Sequence, residues 1–282
     1  MAQNFDIQGH RGARGIKPEN TIPGFIYALD TGVTTIELDV IISKDGKIVV
    51  SHEPFLNSAI CLDPKGNPIE KSKEKEFNLY KMDYAEIKKC DCGSLGNPDF
   101  SSQEKAVSHK PLLSDVIKAV EWHIKSYTQY EVDYNIELKS SKKGDGVFNP
   151  SPAVFSKMVF ELVDSYIPMH RVIIQSFDFR ILNFWKKNYP HVRLATLVEN
   201  TKSLDVNLAN LGFKPDIYSP DYLLLDSLKI ESLHKSGMKV IPWTVNETEQ
   251  MKQLIDWGVD GIITDYPNKL VVLIKSDTTQ VD

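Results

Sequence analysis

Residues 34–54, TTIELDVIISKDGKIVVSHEP, hold the reading that decides the fold. Thr34–Asp39 reads as a strand, and alternate side chains of a strand point to one face, so Glu37 and Asp39 share a face. Two carboxylates side by side repel unless a cation sits between them. A hard, oxygen-seeking divalent ion, Ca²⁺ or Mg²⁺, is the expected partner. Asp45-Gly46 then signals a two-residue hairpin between VIIS and KIVV. With the turn centred between 45 and 46, ladder partners sum to 91, which sets His52 opposite Asp39 (39 + 52 = 91). The local sequence is thus expected to fold a histidine back beside the acids.

Working outward, Phe5–Gln8 reads as a short strand, and Thr21 as the cap of a helix carrying Ile22, Phe25, Ile26 and Leu29 until Gly32 ends it. Beyond Pro111, strands at 134–138, 172–175, 193–197, 216–218, 239–243 and 261–264 alternate with helices. These helices begin near 114, 153, 178, 202, 226 and 247. A last one spans 268–275, before a polar tail expected to fray. Without the hairpin's return arm there are eight strands separated by helices, the pattern of a closed (β/α)₈ TIM barrel. His10, Asp39, Glu137, Gln175, Trp243 and Asp265 then all fall at carboxyl ends of strands, the face where such barrels build their sites.

Residues 54–111 interrupt the alternation. They carry Pro54, Pro64, Pro68 and Pro98 before Pro111, the run KSKEKE, every cysteine and one expected helix at 84–89. A structureless run of this length is usually functional or disordered. It is read here as a cap inserted into one barrel domain that spans 1–282.

The chain of 282 residues is 41% hydrophobic, enough for a single barrel core. A net charge of −5 argues against nucleic-acid or anionic-membrane surfaces, and no apolar run approaches the length of a membrane span. Cys90-x-Cys92 lacks the further ligands of a zinc site. Cys61 could bridge to Cys90 or to Cys92, or all three thiols could be reduced; Gly93 beside Cys92 favours Cys92. The chain reaches its first strand within a few residues of Met1, which reads as an exported, periplasmic or secreted protein with a start methionine added.

Several motifs occur in a fixed order: His10-Arg11-Gly12, Pro18-Glu19-Asn20-Thr21, Glu37-Leu38-Asp39-Val40, His52, then NIELK at 135–139, QSFD at 175–178, WTVN at 243–246 and GIITD at 261–265. From about residue 7 to 267 this set resembles the glycerophosphodiester phosphodiesterase family. The resemblance implies a metal-dependent hydrolase that releases sn-glycerol 3-phosphate and an alcohol such as choline or ethanolamine. It implies Glu37, Asp39 and Glu137 as metal ligands, and Phe177 and Trp243 as walls of the alcohol pocket. Arg11 and Lys139 would face phosphate, as a donor fork and a point charge.

Two histidines converging on acids favour proton transfer, and His52 is read as base and His10 as acid. The attacking oxygen is water or the glycerol 2-hydroxyl. Asn20 and Asp265 are read as loop supports, Arg14 as solvent-exposed or touching the cap, and the other five histidines as bystanders. Where the family usually has His-Asp and then Leu-x-Arg-Thr-Thr, this chain has His52-Glu53 and PFLNSAIC. That departure bears on the pocket wall and substrate range.

Three alternatives are weighed. A lysophospholipase D or sphingomyelinase D-like enzyme needs an apolar groove, which 54–111 does not suggest. A non-catalytic phosphodiester-binding barrel should lack a histidine or a ligand, and none is missing. A phosphosugar-binding barrel should carry a glycine-rich phosphate loop late in the chain. TVNETEQ and TDYPN are not glycine-rich.

Overall fold

The computed structural model describes residues 5–278; the start of the chain and the end of the polar tail lie outside the described residues. β1 (Asp6–Gly9), α1 (Ile22–Thr31) and β2 (Thr35–Ile42) open the barrel, and β3 (Ile48–Val50) returns antiparallel to β2. After the insertion, which includes α2 (Tyr84–Ile87), come α3 (Leu113–His123) and β4 (Asp133–Leu138). The alternation continues through α4 (Pro152–Asp164), β5 (Val172–Ser176), α5 (Phe179–Asn188), β6 (Arg193–Val198), α6 (Leu204–Leu211) and β7 (Ile217–Pro220). It closes with α7 (Ser227–Lys235), β8 (Lys239–Val240), α8 (Thr248–Asp256), β9 (Gly261–Thr264) and α9 (Pro267–Thr278).

The eight strands other than β3 run parallel in the order β8-β7-β6-β5-β4-β2-β1-β9. Backbone bonds from Asp260 N to Val240 O (2.9 Å), Ile263 N to Pro242 O (3.0 Å) and Val245 N to Ile263 O (3.0 Å) join the two ends. The sheet is therefore a nearly closed TIM barrel, as the alternation predicts.

Period two divides each strand between two environments. Ile36, Leu38 and Val40 point outward into the main core with Phe155, Val159 and Trp185 of the helices. Fully burying side chains of this size stabilises by roughly 1.5–3 kcal/mol each. Inside the barrel, Ile173, Ala195, Ile217, Ile241 and Ile263 form an apolar cluster against Trp243. Across from it the interior is polar: Asn135 donates to Gln8 (2.7 Å) and Gln175 (3.1 Å), and Gln175 donates to Glu37 (2.7 Å).

The hairpin corrects one expectation. Ser43 N donates to Lys47 O (2.9 Å), so the loop has three residues, Lys44-Asp45-Gly46, and Gly46 takes φ 72°. A type I turn followed by a left-handed glycine has this shape. Partners sum to 90: Val40 pairs with Val50 and Ile42 with Ile48. Asp39 therefore faces Ser51, whose N–H donates to Asp39 O (2.9 Å), and not His52.

Residues 54–111 hold more structure than one helix. The KSKEKE run is a 3₁₀ turn (Lys71–Glu76), and a second follows at Leu79–Lys81. Leu56, Ile60, Ile69, Leu79 and Ile87 pack with the three cysteines onto Ile41 and Val49 of the hairpin, a small core apart from the barrel's. Cys61 and Cys92 are joined by a disulfide, and Cys90 is a buried thiol.

Candidate active site

Strand register assembles the acids. Asp39 of β2 lies beside Glu137 of β4, and Glu37 lies two residues earlier on the same inward face. All three are buried, and one oxygen from each lies within 4.8 Å of the others. Burial, then Asp39 and Glu137, push Glu37 well above the usual carboxylate range. Burial likewise raises Glu137, against the pull of Lys139. Asp39 goes the other way: despite burial, Arg11, His52, Lys139 and a bond from Asn20 hold it far below that range. Lys139 Nζ stands 2.7 Å from Glu137 and 3.8 Å from Asp39, while Arg11 Nε is 3.3 Å from Asp39.

The loop after β1 is shaped for this cluster. Arg11 (φ 49°) and Asn20 (φ 55°) are left-handed without being glycine, a strain usually kept where geometry serves a site. The turn at Arg11 aims its N–H at Glu37 Oε2 (2.9 Å), and Asn20 Nδ2 donates to Asp39 Oδ2 (2.8 Å). Gly12 follows at φ 88°, where a Cβ would meet Gly24 O at 2.9 Å, so no larger residue fits the turn. Arg11 Nη1 rests on Glu19 Oε1 (2.9 Å).

The two histidines reach the pocket by different routes. His10 follows the end of β1, where its N–H bonds Thr264 O (2.9 Å), so His10 and Asp265 leave adjacent strands side by side. His10 Nδ1 lies 2.6 Å from Asp265 Oδ1. Burial drives the His10 ring down to about 4, with Arg11 and Arg14 adding to the effect and Asp265 opposing it. His10 is neutral at pH 7, and against the cost of burial it and Arg14 hold Asp265 well below the usual carboxylate range. His52 lies beyond the end of β3, in a bend where Ser51 Oγ donates to Glu53 O (2.7 Å). Its Nδ1 lies 2.9 Å from Glu53 Oε1, and against burial that contact lowers Glu53 to about 2.

A cavity of about 200 Å³ is lined by His10, Arg11, Arg14, Glu37, His52, Glu137, Gln175, Phe177, Leu197, Trp243, Thr244 and Ile263. Seven of the nine residues singled out from the sequence are among them. Asp39 and Lys139 sit behind the wall, against Glu137. Phe177 and Trp243 meet edge to face at 5.4 Å.

Sequence reasoning missed three contributions. Asp265 is the partner of His10 and more than a loop support, Glu53 is the partner of His52, and Gln175 holds Glu37. Of the two readings of Arg14, contact with the cap holds and solvent exposure does not: it stacks on Phe100 of the insertion at 4.9 Å and pairs with Asp265 through Nε (2.8 Å) and Nη2 (3.0 Å). The adjacent His52-Glu53 was a usable signal; the others depend on ladders closing across the barrel. Among the bystander histidines, His123 bonds Asp30 and His234 bonds Asp260, both outside this cavity.

A TIM barrel with a buried acid cluster, two carboxylate-paired histidines and cations at the carboxyl ends of its strands defines a class of barrel enzymes working on small charged substrates. Within that class the chain belongs to the glycerophosphoryl diester phosphodiesterase family, whose model matches residues 10–269, and the protein is an enzyme of that family. A glycerophosphodiester phosphodiesterase from Caldanaerobacter subterraneus is 30% identical over 95% of this chain and 97% of its own. A crystal structure from Silicibacter pomeroyi DSS-3 superposes with TM-score 0.85 at 28% identity, over 97% of this chain and 95% of that one. An Oleispira antarctica phosphodiesterase in complex with its product sn-glycerol-3-phosphate shares the fold (TM-score 0.75, 23% identity, 96% of each chain). Among the described residues, no helix is long and apolar enough to cross a membrane.

Proposed function

We propose that this enzyme hydrolyses glycerophosphodiesters of small alcohols to sn-glycerol 3-phosphate and the free alcohol, with a divalent cation and a pair of histidines. The observation that carries the reading is the pairing of both ring Nδ1 atoms with carboxylates, His10 with Asp265 and His52 with Glu53, which leaves both Nε2 atoms for the same cavity. Neutral His10, its Nδ1–H held by Asp265, presents an Nε2 lone pair and suits the base. That reverses the assignment expected from the sequence. His10 takes the proton of the attacking hydroxyl, water or the glycerol 2-hydroxyl; that oxygen bonds phosphorus as the phosphorus–alcohol bond breaks. His52 gives its proton to the departing alcohol oxygen. Where the attacker is the 2-hydroxyl, water then opens the cyclic phosphate at the phosphorus–2-oxygen bond with the two histidine roles exchanged. Arg11 stands in the cavity wall to offset phosphate charge, with Lys139 behind it.

A cation fits the acid cluster. Three buried carboxylates crowd together with Arg11 and Lys139 as their ion-pair partners, and Glu37 is raised by burial and by Asp39 beside it. Glu37, Asp39 and Glu137 would hold it, and an all-oxygen donor set suits Ca²⁺ or Mg²⁺. A bound divalent ion would supply Lewis-acid polarisation of the phosphate. Residues 54–111 are read as a cap that restricts the site to small diesters; Leu56, Ile60, Ile69, Leu79 and Ile87 are turned onto the hairpin, which supports this over a lipid groove. The Cys61–Cys92 bridge supports a periplasmic or secreted enzyme.

The test is sn-glycerol 3-phosphate release from glycerophosphocholine, before and after exhaustive chelation, with Ca²⁺ or Mg²⁺ added back. Activity lost on chelation and restored by metal is expected. Full activity in excess EDTA after dialysis overturns the metal, and lysophosphatidylcholine outperforming glycerophosphocholine overturns the substrate class.

A further inference from the structure

The second half of the insertion does not stay with its own small core. Asp91 Oδ1 accepts the N–H groups of Gly93 (3.0 Å), Ser94 (3.2 Å) and Ser108 (3.1 Å), closing the neck of a compact loop beside the Cys61–Cys92 bridge. From this neck the loop reaches across to the segment that carries His10, Arg11 and Arg14. Gln103 Nε2 donates to the carbonyls of Arg14 (2.6 Å) and Lys17 (3.1 Å), and Glu104 N donates to Ile16 O (2.8 Å). The buried Phe100 ring lies under the Arg14 guanidinium and meets Tyr266, the residue after Asp265, edge-on at 6.1 Å. Arg14 and His10 share Asp265 Oδ1.

We propose that residues 97–104 are a brace for the base, with Phe100 and Gln103 as positioning residues that act through Arg14 and Asp265 on His10. An arginine has many rotamers, and one fixed between an aromatic face and a carboxylate keeps both partners in place. Phe100 supplies the face and Gln103 fixes the backbone from which Arg14 springs, so Asp265 is held where it orients the His10 ring. Neither Phe100 nor Gln103 lines the cavity, so their effect on turnover passes through this chain of contacts. In most of the insertion the contacts serve the insertion itself; here they serve the chemistry. The inference rests on His10 being the base proposed above.

The experiment is a double-mutant cycle on the full-length, metal-loaded enzyme with glycerophosphocholine. Phe100→Leu keeps apolar bulk and removes the ring face. It is expected to lower kcat about three- to tenfold with KM within about twofold, and Arg14→Gln to lower kcat tenfold or more. In the Arg14→Gln background, Phe100→Leu should cost less than about twofold, because the contact it serves is already gone. A loss that adds in full to that of Arg14→Gln, or one confined to Tm with kcat unchanged, overturns the brace. Ring ¹⁵N shifts of His10 give a readout independent of turnover. A single Nδ1–H tautomer is expected in the wild type and averaging in Phe100→Leu; identical spectra overturn the brace. A wild type that fails to cleave the diester would defeat the proposed function while leaving the spectroscopic arm intact.

Discussion

The two flanks of the site hold the same residue type by different means. On one flank His10 follows directly on a barrel strand, paired with Asp265 just past the neighbouring parallel strand and screened by Arg14 of the loop after β1. On the other, His52 lies beyond a three-residue return strand, more exposed (30% against 13%) and paired with the residue next to it. Ladders on both sides can strip water from a ring and fix its tautomer. A bend on a hairpin keeps its ring closer to solvent. The difference teaches that one residue type can be held in two degrees of enclosure within one cavity, and the proposed base and acid roles rest on that contrast.

The most severe way to break this comparison is to remove either ring. His10→Ala and His52→Ala are each expected to lower kcat/KM for glycerophosphocholine by roughly 10²–10⁴-fold. They should part company on a diester with a nitrophenolate leaving group, which departs without a proton. His52→Ala should then recover to within about tenfold of wild type, and His10→Ala should not; the reverse pattern would exchange the roles. Asp265→Asn should cost about 10²–10⁴-fold with both substrates, because an amide can favour the wrong His10 tautomer.

A milder probe is pH. Since burial lowers His10 to about 4, a base at this position would lose its lone pair only below that value. kcat/KM should therefore fall on the acid side near pH 4, and not near the ordinary histidine value of about 6.5. Asp265 raises the His10 value, so Asp265→Asn should move the acid limb lower still, as read from full pH profiles of both enzymes. The smallest effect belongs to the insertion. Thiol titration of denatured, unreduced protein should find one free thiol per chain, Cys90. Cys61→Ser with Cys92→Ser should lower stability by about 2–4 kcal/mol in denaturant melts, with the barrel still folded.

Much was legible because period and order are written locally. The alternation of strand and helix announced eight barrel strands, and Glu37-x-Asp39 announced a shared face before any ladder was known. Thr21 and Gly32 marked both ends of α1, where Thr21 Oγ1 accepts the N–H of Gly24. The hairpin shows the limit. Asp45-Gly46 named a turn, yet whether two or three residues close it depends on backbone angles that both loops tolerate, and the register moved by one. Arg14 shows the same limit in another form. Nothing in HRGAR says that the second arginine will lie between Phe100 and Asp265, residues far along the chain in either case.

By itself, then, the sequence determined the barrel, its acidic pair, the two histidines and the family, since each depends on local periodicity or on motifs in fixed order. Only the tertiary structure decided which carboxylate serves which histidine, that Glu137 lies beside Asp39, that Cys61 bonds Cys92, and that the insertion reaches back to His10. Apart from His52 with its neighbour Glu53, these are contacts between residues distant in the chain. They are set by strand register, barrel closure and desolvation, which act only once the chain has folded on itself.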